Sequence, residues 1–293
     1  MVEPEQAIDR INGVFGRHPG HRALHAKGHF YTGTFTATPA ATALCTAGHL
    51  QGEPVPVRVR WSNGGGNPKV PDTAPDVRGM AVSFRLADGT ATDLLGQTAP
   101  RFPVRTPDDF VEFVEASKKQ VTLPLFLLKH RSAFPALLAN VKGKAIVPPR
   151  SYAEATYYPV HAYSWTAADG SSTWVRYRFT PRSSTAPEGS YDGADRLQEE
   201  IVARLAAGPV QYTLEVQRAR PGEDPHDPMS VWQGDWFDAG TIEVTGTDPE
   251  RETNGEIVVF DPTRVVPGIG LSDDPILHYR AAAYGESARR RMS

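Results

Sequence analysis

Short segments in which apolar and polar residues alternate recur along nearly the whole 293-residue chain. In the clearest of them, residues 55–62, the valines fall on one face while Arg58 and Arg60 fall on the other. Such alternation of β-branched and aromatic residues predicts β-strands. The Asp88-Gly89 and Asp169-Gly170 pairs predict tight turns between antiparallel strands. The other predicted strands are residues 30–38, 79–86, 173–179, 211–217 and 236–244.

Helices are fewer than strands and do not alternate with them. Apolar residues at helical spacing predict helices over 3–16 and 194–207, and Thr106-Pro-Asp-Asp109 is typical of a helix start. Residues 123–138 form a further apolar helical region that prolines interrupt. Without strand–helix alternation, the pattern favours an α+β fold built on an antiparallel barrel. Because no internal repeat or low-complexity linker appears, we expect a single domain over residues 1–293.

The composition excludes several classes of protein. A single cysteine, Cys45, rules out an internal disulfide and a cysteine metal cluster. The net charge of −3 gives no general attraction to nucleic acid or to an anionic membrane, so neither is an expected partner and any basic patch must be local. The N-terminus has no secretory signal, and no stretch reaches the roughly 20 apolar residues of a spanning helix. We therefore expect a soluble, cytoplasmic protein.

Familiar motifs for metal, nucleotide and acyl-transfer chemistry are missing from the sequence. It holds nine histidines, but no His-Glu-x-x-His pair that would indicate zinc. The glycines at 64–66 lack the Lys-Ser/Thr of a phosphate-binding loop, and no Gly-x-Ser-x-Gly elbow occurs. A functional constellation therefore has to be assembled from separate segments.

The C-terminal stretch from His278 to Arg291 carries the most suggestive local pattern. Its small residues favour a helix up to Gly285, which is typical of a helix end. Arg280 and Tyr284 are four residues apart and so share a face of that helix. A nearby guanidinium stabilises a phenolate, and a tyrosinate can ligate ferric haem iron. On this stretch alone, an amphipathic helix with a solvated basic tail is the simpler interpretation.

Five segments, taken in order, resemble those of haem catalases. They are Arg22 with His25-Ala-Lys-Gly28, Arg60-Trp-Ser62, Asp72-Thr73 with Asp76-Val-Arg78-Gly79-Met-Ala-Val-Ser-Phe84, Asp93-Leu-Leu-Gly-Gln97-Thr-Ala-Pro-Arg-Phe102, and Phe260-Asp-Pro with Pro267-Gly-Ile269 before Arg280 and Tyr284. Each is weak by itself, but their shared order over residues 22–291 is specific. The resemblance implies a catalase-like antiparallel β-barrel of about eight strands with flanking and inserted helices. It also implies a haem b buried between the barrel and the C-terminal helix.

The same resemblance implies roles for individual residues. Tyr284 would be the axial ligand of the haem iron, with Arg280 stabilising its phenolate form. On the distal side, His25 would carry a proton between the peroxide oxygens, Ser62 would orient its ring, and Gln97 would donate a hydrogen bond. The remaining residues would hold the haem or line its channel: Arg22, Arg60, Arg289 and Arg291 at the propionates, Phe102 against the haem, and Leu24, Gly64, Asp76 and Phe110 along the channel.

Several positions depart from the catalase pattern. Gln97 replaces an asparagine, Leu24 replaces a valine, and Gly64 replaces a channel valine, whose loss would widen the channel. Arg178 stands where catalases have a histidine near the proximal side. The long N-terminal arm and the C-terminal helical domain of full catalases are missing. We therefore expect no interlocked tetramer and no bound NADPH, and we expect a homodimer.

These departures favour a peroxidase over a true catalase. We expect a haem b enzyme that reduces hydrogen peroxide and, better, organic hydroperoxides through a ferryl species, with an organic one-electron donor and weak catalase activity. One alternative is a hydroperoxide dehydratase of the allene oxide synthase kind, which is disfavoured because Leu24 replaces a threonine. A second is a non-catalytic haem-binding protein, which the retained His25 and Ser62 argue against. The third is a haem-free barrel that binds another ligand.

Overall fold

A computed structural model describes residues 1–117, 122–248 and 257–292 of the chain. The helices are α1 (Pro4–Phe15), α2 (Pro39–Leu44), α3 (Pro107–Ser117), α4 (Thr122–Lys129), α5 (Ala133–Lys142), α6 (Arg196–Ala207) and α7 (Pro275–Met292). The strands are β1 (Gly28–Ala37), β2 (Val55–Asn63), β3 (Arg78–Arg85), β4 (Ala91–Gln97), β5 (Tyr163–Thr166), β6 (Ser172–Pro181), β7 (Val210–Arg218), β8 (Trp236–Thr247) and β9 (Ile269–Leu271). None of the helices in these described parts combines the length and apolar character needed to span a bilayer.

The strands form one antiparallel sheet in the order β4-β3-β2-β1-β8-β7-β6-β5-β9. The sheet curls towards closure through a short intervening segment. Gln97 at the end of β4 forms a bridge with Tyr158, and the adjacent Tyr157 pairs with Phe179 of β6. The described residues contain nine strands where about eight were expected, and the shortest is the three-residue β9. The α+β class with flanking and inserted helices is confirmed.

The alternation of side chains along β2 decides what enters the barrel and what faces away from it. Val57, Val59 and Trp61 belong to the main hydrophobic core of the barrel. Arg60 and Ser62 therefore lie on the opposite face, because successive strand residues point to opposite sides. They are nevertheless buried, since the helices α1, α3 and α7 pack together over this side of the barrel. The outer face of the barrel thus becomes part of a second interior, in which these two polar side chains lie buried.

The C-terminal helix is longer than the sequence predicted. Helix α7 passes through Gly285 and continues almost to the end of the chain, so the predicted helix end at this glycine is wrong. Beyond it, Glu286 accepts hydrogen bonds from Arg289 and Arg290, and Arg290 also contacts Asp9 of α1. These ion pairs and the packing against α1 offset the roughly 0.5–1 kcal/mol that a glycine costs within a helix.

Candidate active site

One cavity lies between the outer face of the barrel and the helices α1, α3 and α7. It encloses about 1370 Å³, including the open space at its mouth. Side chains from β2, β3 and β4 form part of its wall, and α7 forms another part. Most of the site residues named from the sequence line it: Arg22, Leu24, His25, Arg60, Ser62, Gln97, Phe102, Phe110, Arg280, Tyr284 and Arg291. The fold therefore brings widely separated segments together around one space.

His25 is fixed against the barrel by contacts of both its backbone and its ring. Its N–H donates to the carbonyl of Gly64 at 2.9 Å, and its carbonyl accepts from Nη2 of Arg60 at 2.9 Å. These bonds hold the residue at a φ of 54°, in the left-handed region that non-glycine residues seldom adopt. The ring Nδ1 lies 3.0 Å from Oγ of Ser62. The orientation of the imidazole is therefore determined by its surroundings.

A glycine on the neighbouring strand makes room for this imidazole. Ser62 of β2 pairs with Gly79 of β3. A Cβ on Gly79 would lie 2.7 Å from Nδ1 of His25 and 2.8 Å from Oγ of Ser62. Such distances are too short for non-bonded contact, so a side chain here would displace the His25–Ser62 pair.

The imidazole of His25 is neutral in the physiological pH range. Burial, reinforced by the positive charges of Arg60, Arg280 and Arg22, lowers the pKa of His25 from its ordinary 6.5 to about 3. With Nδ1 engaged by Ser62, Nε2 is the ring nitrogen that can exchange a proton with a molecule in the cavity. A neutral imidazole can accept such a proton, so His25 is prepared to act first as a base.

Tyr284 and Arg280 reach the same cavity from α7. Nε of Arg280 donates a hydrogen bond to the phenol oxygen of Tyr284 at 2.8 Å, and the guanidinium carbon lies 5.3 Å from the ring centre. Their four-residue spacing places both side chains on one side of the helix. The phenol oxygen thus accepts a charge-assisted hydrogen bond, a kind that is roughly twice as strong as one between neutral groups.

Two residues that the sequence analysis missed extend this arrangement into the interior. Nη1 of Arg280 donates to Nε2 of His161 at 2.8 Å, and Nδ1 of His161 donates to Oδ2 of Asp274 at 2.6 Å. His161 is 2% exposed and Asp274 is 1% exposed. Burial lowers the pKa of His161 although Asp274 opposes the shift, so the ring is neutral and carries its proton on Nδ1.

A sequence signal existed for one of these two residues. Asp274 precedes Pro275, and its Oδ1 accepts from the N–H of Ile276 at 2.8 Å, which is the arrangement of a helix N-cap followed by proline. The N-cap signature could therefore have drawn attention to Asp274. His161 meets Asp274 and Arg280 across 113 and 119 residues of sequence. No local pattern marks such a residue.

Arg178 does not occupy the proximal position that the sequence comparison gave it. It forms a bidentate pair with Glu215, with distances of 2.6 and 2.9 Å, and its guanidinium carbon lies 4.3 Å from the ring centre of Trp236. It does not line the cavity. The imidazole that contacts Arg280 is that of His161, from the segment just before β5.

Of the four arginines expected at the haem propionates, three reach the cavity. These are Arg22, Arg60 and Arg291. Arg289 is 60% exposed and pairs with Glu286 on the preceding turn, so its assignment to the cofactor site is wrong. The reason is the continued helix. Arg291 follows Tyr284 by seven residues and returns to its face, whereas Arg289 follows by five and points away.

The cavity wall near His25 is mostly apolar. Leu24 and Phe110 line it beside Phe102, together with apolar side chains of α1. The rings of Phe102 and Phe110 stack with centres 5.3 Å apart. Gln97, at the end of β4, places an amide among these groups.

Gly64 and Asp76 do not line this cavity, contrary to their predicted channel roles. A Cβ on Gly64 would overlap Cγ2 of Val77, so the space that a side chain would take is already filled. Asp76 turns back to accept a hydrogen bond from the N–H of Gly65 at 2.8 Å. Burial raises the pKa of the Asp76 carboxyl. The expected widening at Gly64 is therefore wrong.

Tyr279 is a cavity residue that the sequence analysis did not single out. It lies on α7, and its hydroxyl is buried with no hydrogen-bond partner among the described residues. Burial raises the pKa of Tyr279 to about 12, and the charges of Asp108 and Glu3 contribute. A buried polar group left unsatisfied beside a cavity calls for an explanation, and a polar ligand group is one.

The whole chain is similar to proteins of a single family. The family model described as Catalase matches residues 6–293. The chain belongs to the catalase family. A catalase-related peroxidase of Mycolicibacterium paratuberculosis is 46% identical over 297 residues, which cover 99% of this chain and 95% of that relative. A catalase-related peroxidase of Synechococcus elongatus is 29% identical, with 99% of this chain and 89% of the relative covered.

Solved catalases share the fold of this family member. A fungal catalase superposes with a TM-score of 0.81 at 22% identity, covering 94% of this chain and 60% of its own. Catalase A from Saccharomyces cerevisiae gives a TM-score of 0.80 at 22% identity, covering 95% and 62%. The chain thus spans about three fifths of these structures, and the catalase-like fold expected from the sequence is confirmed.

The catalase family implies a haem cofactor, and the residues around the cavity fit one. A phenol oxygen stabilised by a guanidinium is available to an iron. The arginines that reach the cavity suit two carboxylates, and the unsatisfied hydroxyl of Tyr279 offers a further polar contact. The stacked rings of Phe102 and Phe110 offer an apolar surface to a flat macrocycle.

Proposed function

We propose that this protein is a haem b peroxidase that reduces hydrogen peroxide and, better, organic hydroperoxides, with an organic one-electron donor and weak catalase activity. One observation carries the proposal: the His25–Ser62 pair and the Arg280–Tyr284 pair line the same cavity. The first pair suits proton transfer, and the second suits iron ligation. A protein that only stored haem would need the second pair alone.

Membership of the catalase family and full-length relatives named catalase-related peroxidases make the protein an oxidoreductase that acts on peroxide. Tyr284 would hold the iron, while Arg22, Arg60 and Arg291 would hold the propionates. When bound, haem stores the two oxidising equivalents that a peroxide delivers and that the donor later removes. The overall reaction balances as ROOH + 2 AH → ROH + H₂O + 2 A•, where AH is the organic donor.

On the distal side, His25 moves the proton that peroxide cleavage requires. Its neutral Nε2 accepts the hydroperoxide proton and returns it to the departing oxygen, so that an alcohol or water leaves instead of an unstable anion. Ser62 engages Nδ1 throughout and keeps the ring in one orientation. The mostly apolar wall excludes bulk water that would otherwise compete for the proton.

On the proximal side, Arg280 keeps a positive charge against the oxygen of Tyr284. His161 fixes the other end of the guanidinium without adding charge, because burial keeps its ring neutral. Asp274 in turn fixes the ring of His161. These three residues position the ligand and take no part in bond breaking.

The preference for organic hydroperoxides is supported by the lining of the cavity. Leu24, Phe102 and Phe110 present apolar surface that an alkyl group can contact. Catalase turnover needs a second hydrogen peroxide held by polar contacts, and Gln97 carries its amide one methylene further out than an asparagine would. Gly64 contributes nothing to this argument, since Val77 fills the adjacent space.

The direct test is the visible spectrum of haem-loaded protein before and after one equivalent of an organic hydroperoxide. We expect a ferric tyrosinate spectrum that changes on mixing and recovers when an organic donor is added. Tyr284→Phe should lose the tyrosinate spectrum. His25→Gln should retain it but react about 10²–10⁴-fold more slowly. His21→Gln, four residues earlier and outside the cavity lining, is the matched control and should react normally.

Steady-state assays then separate peroxidase from catalase. Efficient oxygen evolution from hydrogen peroxide, with no turnover of alkyl hydroperoxides, would overturn the proposed substrate preference. Haem that binds through Tyr284 but never reacts with either peroxide would overturn the enzyme assignment itself.

A further inference from the structure

Helices α4 and α5 and the segment after them form an unusually apolar exposed surface, here called the 125–147 surface. Leu125 and Leu128 in α4, Phe134, Leu138 and Val141 in α5, and Val147 after it are each 41–68% exposed. Large exposed apolar side chains are more often scattered singly over a protein. Their concentration on two adjacent short helices indicates a surface that a binding partner covers.

Helix α5 turns its large side chains outwards. It buries Ala133 and Ala136, which are 0% and 3% exposed. It exposes Phe134, Leu138 and Val141, which at positions i, i+4 and i+7 form one stripe along the helix. A helix that packs only within its own domain buries its large apolar residues, because that face is turned to the core. The stripe is therefore available for contact outside the domain.

The same surface is positively charged. Residues 122–150 contain no Asp or Glu but do contain Lys129, Arg131, Lys142, Lys144 and Arg150. Lys129 is neutralised by Glu112 at 2.7 Å, and the other four are exposed. The whole chain carries a net charge of −3, so the charge of this segment is opposite in sign to that of the chain as a whole.

We propose that the 125–147 surface docks onto an anionic phospholipid bilayer. Exposed leucine, phenylalanine and valine side chains can enter the boundary between headgroups and acyl chains, while lysine and arginine around them attract anionic headgroups. A second copy of this chain is a poorer match. A symmetric dimer would place the same cationic residues of both copies close to one another. This proposal departs from the expectation of no membrane partner, which rested on the charge of the whole chain.

The docking surface is connected to the wall of the active-site cavity. Asn140 of α5 exchanges two hydrogen bonds with the backbone of Arg101, at 3.0 and 3.1 Å. Arg101 lies in the segment between Gln97 and Phe102, which both line the cavity. Docking would hold this segment close to the lipid surface. Lipid hydroperoxides would then be the organic substrates; this last step rests on the proposed peroxidase function, whereas the docking itself does not.

Vesicle flotation tests the docking without peroxide. Haem-loaded full-length protein is floated with vesicles of phosphatidylcholine alone and with equimolar phosphatidylcholine and phosphatidylglycerol. We expect binding to the anionic vesicles that weakens as salt is added. Phe134→Gln combined with Val141→Gln should lower the partition coefficient on the order of tenfold. The matched pair Val202→Gln with Val231→Gln, at positions 39% and 45% exposed elsewhere, should leave it unchanged.

A charge reversal tests the electrostatic contribution to the docking. Lys142→Glu should lower the partition coefficient roughly fivefold or more, while Arg85→Glu, an exposed reversal on β3, should have little effect. The proposal is overturned if anionic vesicles do not bind the protein, or if the control variants lose as much binding. It is also overturned if the unsubstituted protein binds no vesicles and light scattering shows that Phe134→Gln with Val141→Gln converts a dimer to a monomer. Because no peroxide is used, failure here leaves the peroxidase proposal standing.

Discussion

Nη1 of Arg280 lies 2.8 Å from Nε2 of His161, a residue 119 positions earlier in the chain. The same guanidinium donates through Nε to Tyr284, so it is held at two points and cannot rotate away from the phenol oxygen. His161 is held in turn by Asp274, which also caps the start of α7. The orientation of Tyr284, the proposed iron ligand, and the beginning of its helix therefore depend on one buried carboxylate.

His161→Leu should disturb both the Arg280–Tyr284 pair and the stability of the fold. It leaves the buried Asp274 and the inner end of Arg280 without their shared partner, which should cost about 1–3 kcal/mol in the free energy of unfolding. The visible spectrum of the haem-loaded protein should change as well. Urea unfolding and absorption spectroscopy measure the two effects. His161→Gln should restore the spectrum in part, and His21→Gln, at an exposed position outside the cavity lining, should change neither quantity. An unaltered spectrum in a folded His161→Leu protein would show that His161 does not position Tyr284 through Arg280.

Stability should fall as the solution becomes acidic below about pH 6.5. The pKa of His25 is lowered to about 3 in the folded protein, while the unfolded chain titrates near 6.5. Between these values the unfolded state binds the extra proton, so stability is fully present above pH 6.5 and is lost towards pH 3. The expected slope is about 1.4 kcal/mol per pH unit for this histidine. Buried His49, whose pKa is also lowered to about 3, should add a similar slope.

Urea unfolding at pH 7, 6 and 5 measures this dependence. The slope should become smaller in His25→Gln and should stay the same in His21→Gln. Stability that rose on acidification would contradict the neutral, buried state of His25.

Two arginines near the C-terminus form a matched pair for haem affinity. Arg291→Leu should raise the haem dissociation constant by about tenfold or more, because a hydrogen-bonded charge is worth roughly 1.5–3 kcal/mol. Arg289→Leu should leave the constant unchanged, since this side chain is 60% exposed and pairs with Glu286. Haem transfer to apomyoglobin measures both constants. Equal effects of the two substitutions would contradict an orientation of α7 in which Arg291 faces the cavity and Arg289 faces away from it.

Gly285→Ala should stabilise the protein. The glycine lies inside α7, and a Cβ there would meet nothing within 4 Å. Alanine in a helix interior is more favourable than glycine by about 0.5–1 kcal/mol. Thermal or urea unfolding should show this gain with no change in peroxide reactivity. Gly79→Ala is the contrasting variant, because its Cβ would collide with His25 and Ser62. A loss of stability in Gly285→Ala would mean that the helix ends where the sequence suggested.

Sequence patterns were enough for the fold class and for most of the named residues that line the cavity. Alternation along β2 already placed Arg58 and Arg60 on the face opposite the valines, and four-residue spacing placed Arg280 beside Tyr284. The order of the short motifs pointed to the catalase family. These features are local because the period of a strand or helix alone decides which residues share a face.

Tertiary structure decided what each face meets. Only packing between separate segments brings His161 to Arg280, fills the space at Gly64 with Val77, and continues α7 past Gly285 against α1. Packing also leaves the large side chains of α5 outside while its alanines are buried. The physical reason is that periodicity orients a side chain relative to its own element. The partner, the occupied volume and the covered surface depend on residues in other segments of the chain.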